Sequence, residues 1–121
     1  MDYRDSLKNC KKIVVKIGTS SLTLESGALD VAFIDMFVRD IAEALGQNAE
    51  RRLAIVTSGA VAAGMSLCGI SERPSNINQL QALSSLGQSA LMQHYSRAFD
   101  RYAYKTSQLL LTQNVVSEKS A

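Results

Sequence analysis

Lys16 stands near the end of an apolar run, Ile13-Val14-Val15-Lys16-Ile17, and Gly18-Thr19-Ser20-Ser21 follows at once. A cation beside a glycine and three hydroxyls can hold a phosphate. The glycine lets backbone approach the anion, hydroxyls and exposed N–H groups donate hydrogen bonds, and the ammonium neutralises charge. A second small-residue break, Thr57-Ser58-Gly59-Ala60, follows the run Leu53-Ala54-Ile55-Val56. It leads into the alanine-rich stretch Val61 to Leu67, so a helix is expected to open directly after Gly59. The first N–H groups of a helix lack intrahelical partners and favour an anion or a carboxylate. Two such breaks could hold two acidic partners close together, as phosphoryl transfer between ATP and a carboxylate requires. The plainer alternatives are an ordinary turn beside a lysine and an ordinary helix cap at Ser58.

The elements that would position these residues follow from hydrophobic spacing. Lys11 to Ile17 and Leu53 to Thr57 read as strands, and their nearly continuous apolar character predicts cover on both faces. Leu22 to Ala28 reads as a polar link. Leu29, Phe33, Phe37, Val38, Ile41 and Leu45 recur at helical spacing, with Asp30 near the start and Gly46 as a stop. Gly69 to Asn76 holds the only proline, Pro74, and reads as a loop. Asn78 to Tyr102 is a long helical stretch with Leu80, Leu83, Leu86 or Gly87, Ala90, Leu91, Tyr95 and Phe99 on its buried side. Gly87 inside it suggests close packing against a neighbour. Ser107 to Thr112 reads as a third strand. Strands joined by long helical crossovers predict an α/β fold, an open parallel sheet flanked by helices. In such sheets ligands bind beyond the carboxyl ends of the strands, so both breaks would face one edge.

Composition narrows the function classes. The chain has 121 residues, fits one domain, and carries a formal net charge of only +2 with 46% hydrophobic residues. Scattered basic residues of that number give no nucleic-acid or membrane footprint. Lys11, Lys12, Arg51 and Arg52 read as solvated strand starts. Cys10 and Cys68 lack metal-ligand spacing and read as reduced thiols, Cys68 packed in a helix. Met1 to Cys10 is too polar for a signal peptide, and no apolar run reaches membrane-spanning length, so the expected location is cytoplasmic. No Walker A motif, no dinucleotide-binding GxGxxG and no protein-kinase signature is present. His94 reads as a helix-surface residue, and no metal site is expected.

Four motifs in order resemble the glutamate 5-kinases of the amino acid kinase superfamily. They are Val14-Val15-Lys16-Ile17-Gly18-Thr19-Ser20-Ser21-Leu22-Thr23, then Val56-Thr57-Ser58-Gly59-Ala60-Val61-Ala62-Ala63-Gly64, then Gln81-Ala82 with Gly87-Gln88-Ser89-Ala90-Leu91-Met92 followed by Tyr95 and Phe99, and finally Gln108-Leu109-Leu110-Leu111-Thr112. The aspartate kinases differ, with Phe-Gly-Gly-Thr-Ser after their lysine. The resemblance implies ATP-dependent phosphorylation of the side-chain carboxylate of L-glutamate to glutamyl 5-phosphate, the first step of proline synthesis, with Mg²⁺ bridging phosphates. By position, Lys16 would be catalytic and contact the ATP phosphates, with Gly18, Thr19 and Ser20 lining that site. Ser58, Gly59 and Ala60 would bind glutamate.

The resemblance also implies that residues 1–121 are the N-terminal portion of an amino acid kinase domain. The adenine site, the remaining glutamate contacts and any PUA domain would lie beyond Ala121, and the tail Gln113-Asn114-Val115-Val116 fits the family pattern less well. On that basis the chain alone is expected to be inactive and prone to self-association, and a full-length form to be a homo-oligomer open to feedback inhibition by proline. The competing expectation is a non-catalytic remnant that binds glutamate or serves as an oligomerisation partner.

Overall fold

A computed structural model describes residues 3–110 of the protein. Their order is α1 (Tyr3–Lys8), β1 (Lys12–Ile17), α2 (Thr19–Leu22), α3 (Val31–Gly46), β2 (Arg52–Thr57), α4 (Ala60–Cys68) and α5 (Ile77–Asp100). The strands pair in parallel, with Lys12 opposite Arg52 and Ile17 opposite Thr57. Parallel pairing needs a long crossover, and α3 supplies it. Two side chains start the long helices, Asp30 where the spacing placed it and Asn76 at the end of the segment that reads as a loop. Asp30 accepts a hydrogen bond from the Phe33 N–H at 3.0 Å, and Asn76 accepts from the Asn78 and Gln79 N–H groups at 2.8 and 3.3 Å. Each satisfies N–H groups that the helix itself leaves unpaired.

The core lies between the sheet and the helices. Ile17, Ile34, Val38, Ile41, Leu91, Tyr95 and Phe99 are buried in one cluster, with Leu53 and Ile55 packed against it from β2. Leu22 and Leu29 complete it, so the link after β1 is not merely polar. Leu22 is fully buried at the end of α2, and the backbones of Thr23 and Leu29 pair in an antiparallel bridge. Helices α4 and α5 meet at their glycines. A Cβ built on Gly64 would lie 2.1 Å from the Leu83 carbonyl oxygen, and one on Gly87 would lie 1.7 Å from the Ala60 carbonyl oxygen. No side chain fits in that contact, so Gly87 serves the close packing its position suggested.

Four expectations need correction. The strands alternate between covered and open residues rather than being covered on both faces. Lys12, Val14, Lys16, Arg52, Ala54 and Val56 share an open face, with Val14 69% exposed. Side chains alternate across a strand, and no described element packs on that side. The third strand is not formed over residues 107–110, where Leu109 and Leu110 are exposed; Leu111 and Thr112 lie outside the described residues. A strand persists through ladder hydrogen bonds, and no backbone bond joins 105–110 to β1 or β2. Arg51 is not a solvated strand start. Its guanidinium donates to the carbonyls of Cys10 at 3.2 Å, Ala44 at 2.7 Å and Lys8, tying α1 and the end of α3 to the start of β2. Cys68 ends α4 and is exposed rather than packed. Among the described residues, no helix is long and apolar enough to cross a membrane.

Candidate functional site

The register of β1 on β2 puts the two small-residue breaks side by side. Ile17 and Thr57 are paired, and the Ser58 N–H continues the ladder to the Ile17 carbonyl at 3.0 Å. Both chains therefore leave the sheet at its carboxyl edge. There they enclose a cleft of about 220 Å³, lined by Thr19, Thr57, Ser58, Gly59, Ala60, Val61, Ala62 and Arg73.

Gly59 shapes the floor of this cleft. Its φ of 106° lies in the left-handed region, which a side chain would strain. That conformation turns the chain from β2 directly into α4, whose first hydrogen bond runs from the Ala63 N–H to the Gly59 carbonyl at 2.9 Å. Gly59 is the N-cap and brings no side chain, and Ser58 does not cap the helix in its place. The N–H groups of Ala60, Val61 and Ala62 are thus the unpaired first donors of α4, and all three residues line the cleft. Helix polarity adds partial positive charge at the same point.

Arg73 is the only charged residue in the lining, and no ion pair or hydrogen bond to it is found among the described residues. The sequence reading missed it. The loop carrying Pro74 offered no periodicity to place it, and only the fold carries it over the start of α4. Uncapped donors, hydroxyls and one guanidinium suit a small anionic ligand. Among the described residues no carboxylate lines the cleft, so this donor set does not suit a resident divalent cation.

The cleft unites only part of the proposed residue set. Ser58, Gly59, Ala60 and Thr19 line it. Lys16, Gly18 and Ser20 do not. Lys16 is exposed on the open face of β1, opposite Val56. Gly18 caps the short α2, and Ser20 is exposed on that helix. Behind the cleft, Tyr95 is buried, and its hydroxyl lies 2.9 Å from the Thr57 hydroxyl. Burial pushes the Tyr95 phenol above its ordinary value, and the bond to Thr57 offsets part of that rise.

A parallel β–α–β unit with a donor-lined cleft at its carboxyl edge defines an α/β fold of the open-sheet type. Residues 11–120 match the amino acid kinase family. The chain belongs to that family. It is 42% identical over 116 residues to a glutamate 5-kinase of a Geobacter species, covering 96% of this chain and 31% of that protein. Against the glutamate 5-kinase of Lactococcus lactis it is 43% identical over 112 residues, covering 93% and 41%. A third glutamate 5-kinase, from Symbiobacterium thermophilum, is 40% identical over 109 residues. The chain spans about a third to two-fifths of the length of these curated relatives.

Proposed function

We propose that this chain is the N-terminal portion of a glutamate 5-kinase domain, and that the cleft holds the acceptor, L-glutamate. The observation that carries this reading is the uncapped start of α4 beside Arg73, which has no partner among the described residues, at the edge where the two motif-bearing breaks meet. A carboxylate placed there accepts hydrogen bonds from the first N–H groups of α4. Ser58 offers a hydroxyl, and the Arg73 guanidinium can form a forked pair with a second carboxylate. Relatives named glutamate 5-kinase, at about 40% identity, support the choice of glutamate.

ATP would supply the phosphoryl group transferred to the side-chain carboxylate. Thr19 lines the cleft on the β1 side, and Gly18 and Ser20 flank it, so this loop would face the phosphates. Lys16 would bring a compact positive charge on a flexible stem to the transferred group. Any Mg²⁺ would be held by the nucleotide's phosphates rather than by this cleft. One observation favours a second reading, a module that binds glutamate without catalysis: Lys16 is not among the residues lining the cleft.

Titration of the ¹⁵N-labelled chain with L-glutamate, and with L-glutamine as the neutral control, tests the shared part of both readings. Amide shifts concentrated at Gly59 to Ala62 are expected with glutamate and much weaker ones with glutamine. Equal responses to the two, or shifts elsewhere, would reject the acceptor site.

A further inference from the structure

Two hydroxyls link the core to the cleft. The Thr57 hydroxyl donates to the Ser58 carbonyl at 2.9 Å and lies 2.9 Å from the Tyr95 hydroxyl. A threonine hydroxyl has one proton. The Ser58 carbonyl can only accept, and when the Thr57 proton goes to it the Tyr95 hydroxyl is the donor to Thr57. In that arrangement donation runs from α5 through the end of β2 to the peptide that opens the cleft.

We propose that Tyr95 is a positioning residue for the acceptor site, acting through Thr57 on the Ser58–Gly59 peptide. The Ser58 N–H is held by the Ile17 carbonyl at 3.0 Å, and its carbonyl is held by Thr57. The Ile17 bond fixes the preceding Thr57–Ser58 peptide, and the Thr57 hydroxyl on the Ser58 carbonyl restrains the plane of the Ser58–Gly59 peptide itself. The Gly59 N–H points opposite to the Ser58 carbonyl across that plane. Fixing the carbonyl therefore aims this N–H, which has no partner among the described residues. It also sets the direction in which Gly59 enters α4 at its left-handed φ of 106°. The relay is anchored in the core, because Tyr95 is 4% exposed and packs with Leu91, Ala98 and Phe99. Tyr95 touches no ligand in this assignment. It holds the donors of the cleft in place before a ligand arrives, which lowers the ordering cost of binding.

This inference rests on the acceptor-site reading, and its test separates the two. Tyr95→Phe keeps the ring and removes only the hydroxyl. Thr57→Val removes the middle of the relay, and Thr57→Ser restores it. In the full 121-residue chain without ligand, Tyr95→Phe should move the Gly59 amide resonance and leave those of α3 unchanged. On titration with L-glutamate, Tyr95→Phe and Thr57→Val should each weaken binding about tenfold, the double variant should be no weaker than either, and Thr57→Ser should bind like the parent. Parent-like affinity in Tyr95→Phe, or a silent Gly59 resonance, would overturn the role of Tyr95 and leave the acceptor site standing. Independent, additive losses would show that the two hydroxyls do not act as a relay. If the parent chain shows no glutamate response while Tyr95→Phe still moves Gly59, the relay exists but the acceptor-site reading, and with it the role of Tyr95 in binding, fails.

Discussion

Gly87→Ala should destabilise this protein, although helix propensity alone predicts the reverse. In an exposed helix interior, alanine is favoured over glycine by about 1 kcal/mol. At Gly87 the new methyl would sit 1.7 Å from the Ala60 carbonyl oxygen and 2.4 Å from the Gly64 nitrogen. The first separation is about 1.3 Å short of the 3.0 Å that Cβ atoms keep from other heavy atoms. Both obstacles are backbone, so no rotamer change relieves them, and α4 must move away from α5. Overpacking of this kind costs about 1–3 kcal/mol, and a double backbone clash belongs at the upper end. After the propensity gain, the expected net loss is about 2 kcal/mol. For a chain of this length that lowers Tm by roughly 6–12 °C. Gly46→Ala is the control, because nothing lies within 4 Å of its built Cβ; it should be neutral or slightly stabilising. Urea and thermal unfolding followed by circular dichroism read both variants. A Gly87→Ala protein as stable as the parent, or more stable, would refute the packing argument. Because Ala60 also lines the cleft, the same variant should lose glutamate affinity.

Three further outcomes follow from particular contacts. Arg73→Gln should weaken L-glutamate binding threefold to tenfold, on the order of 1 kcal/mol, with unfolding unchanged, as measured by calorimetric titration. Arg51→Ala should lower the urea unfolding free energy by about 1–2 kcal/mol, and Arg51→Lys should not restore it, because an ammonium cannot span the three carbonyls that the guanidinium reaches. The raised pKa of Tyr95 gives a third: the unfolded chain ionises near the ordinary value of 10.0 and the folded chain above it. The folded state then binds more protons, so this contribution is complete below pH 10 and is lost as pH rises through the folded value. Tyr95→Phe should flatten the alkaline fall in stability and leave the slope near neutrality unchanged.

The residues that carried local rules were legible in the sequence. Asp30 starts a helix because its short side chain reaches a free N–H group, a preference readable without a fold, whereas Asn76 does the same for α5 from a segment that reads as a loop. Gly59 signalled the turn into α4, and the parallel order of β1 and β2 followed from the length of α3. The Gly64–Gly87 contact was half visible, since a glycine inside a helical pattern marks close approach without naming the partner. Covered and open faces were not legible. Val14 and Val56 look like core residues by type, and only the arrangement of α3 and α5 on one side leaves them exposed. Leu109 and Leu110 look like a strand, but a strand depends on a neighbour supplied by the rest of the fold. Arg51 and Arg73 are ordinary basic residues in polar segments, and their tasks come from carbonyls and a helix end that are distant in sequence.

The central claim is that this cleft accepts glutamate for phosphoryl transfer. Joining residues 1–110 of this chain to the corresponding remainder of the Lactococcus lactis relative allows a direct measurement: ATP-dependent hydroxamate formation from L-glutamate and hydroxylamine. The account predicts product from the chimera, a sharp fall in kcat for Lys16→Met with little change in glutamate KM, and a raised glutamate KM for Ser58→Ala. Hydroxamate formed at the parental rate and KM by both variants, or a folded chimera that binds glutamate and forms none, would contradict it.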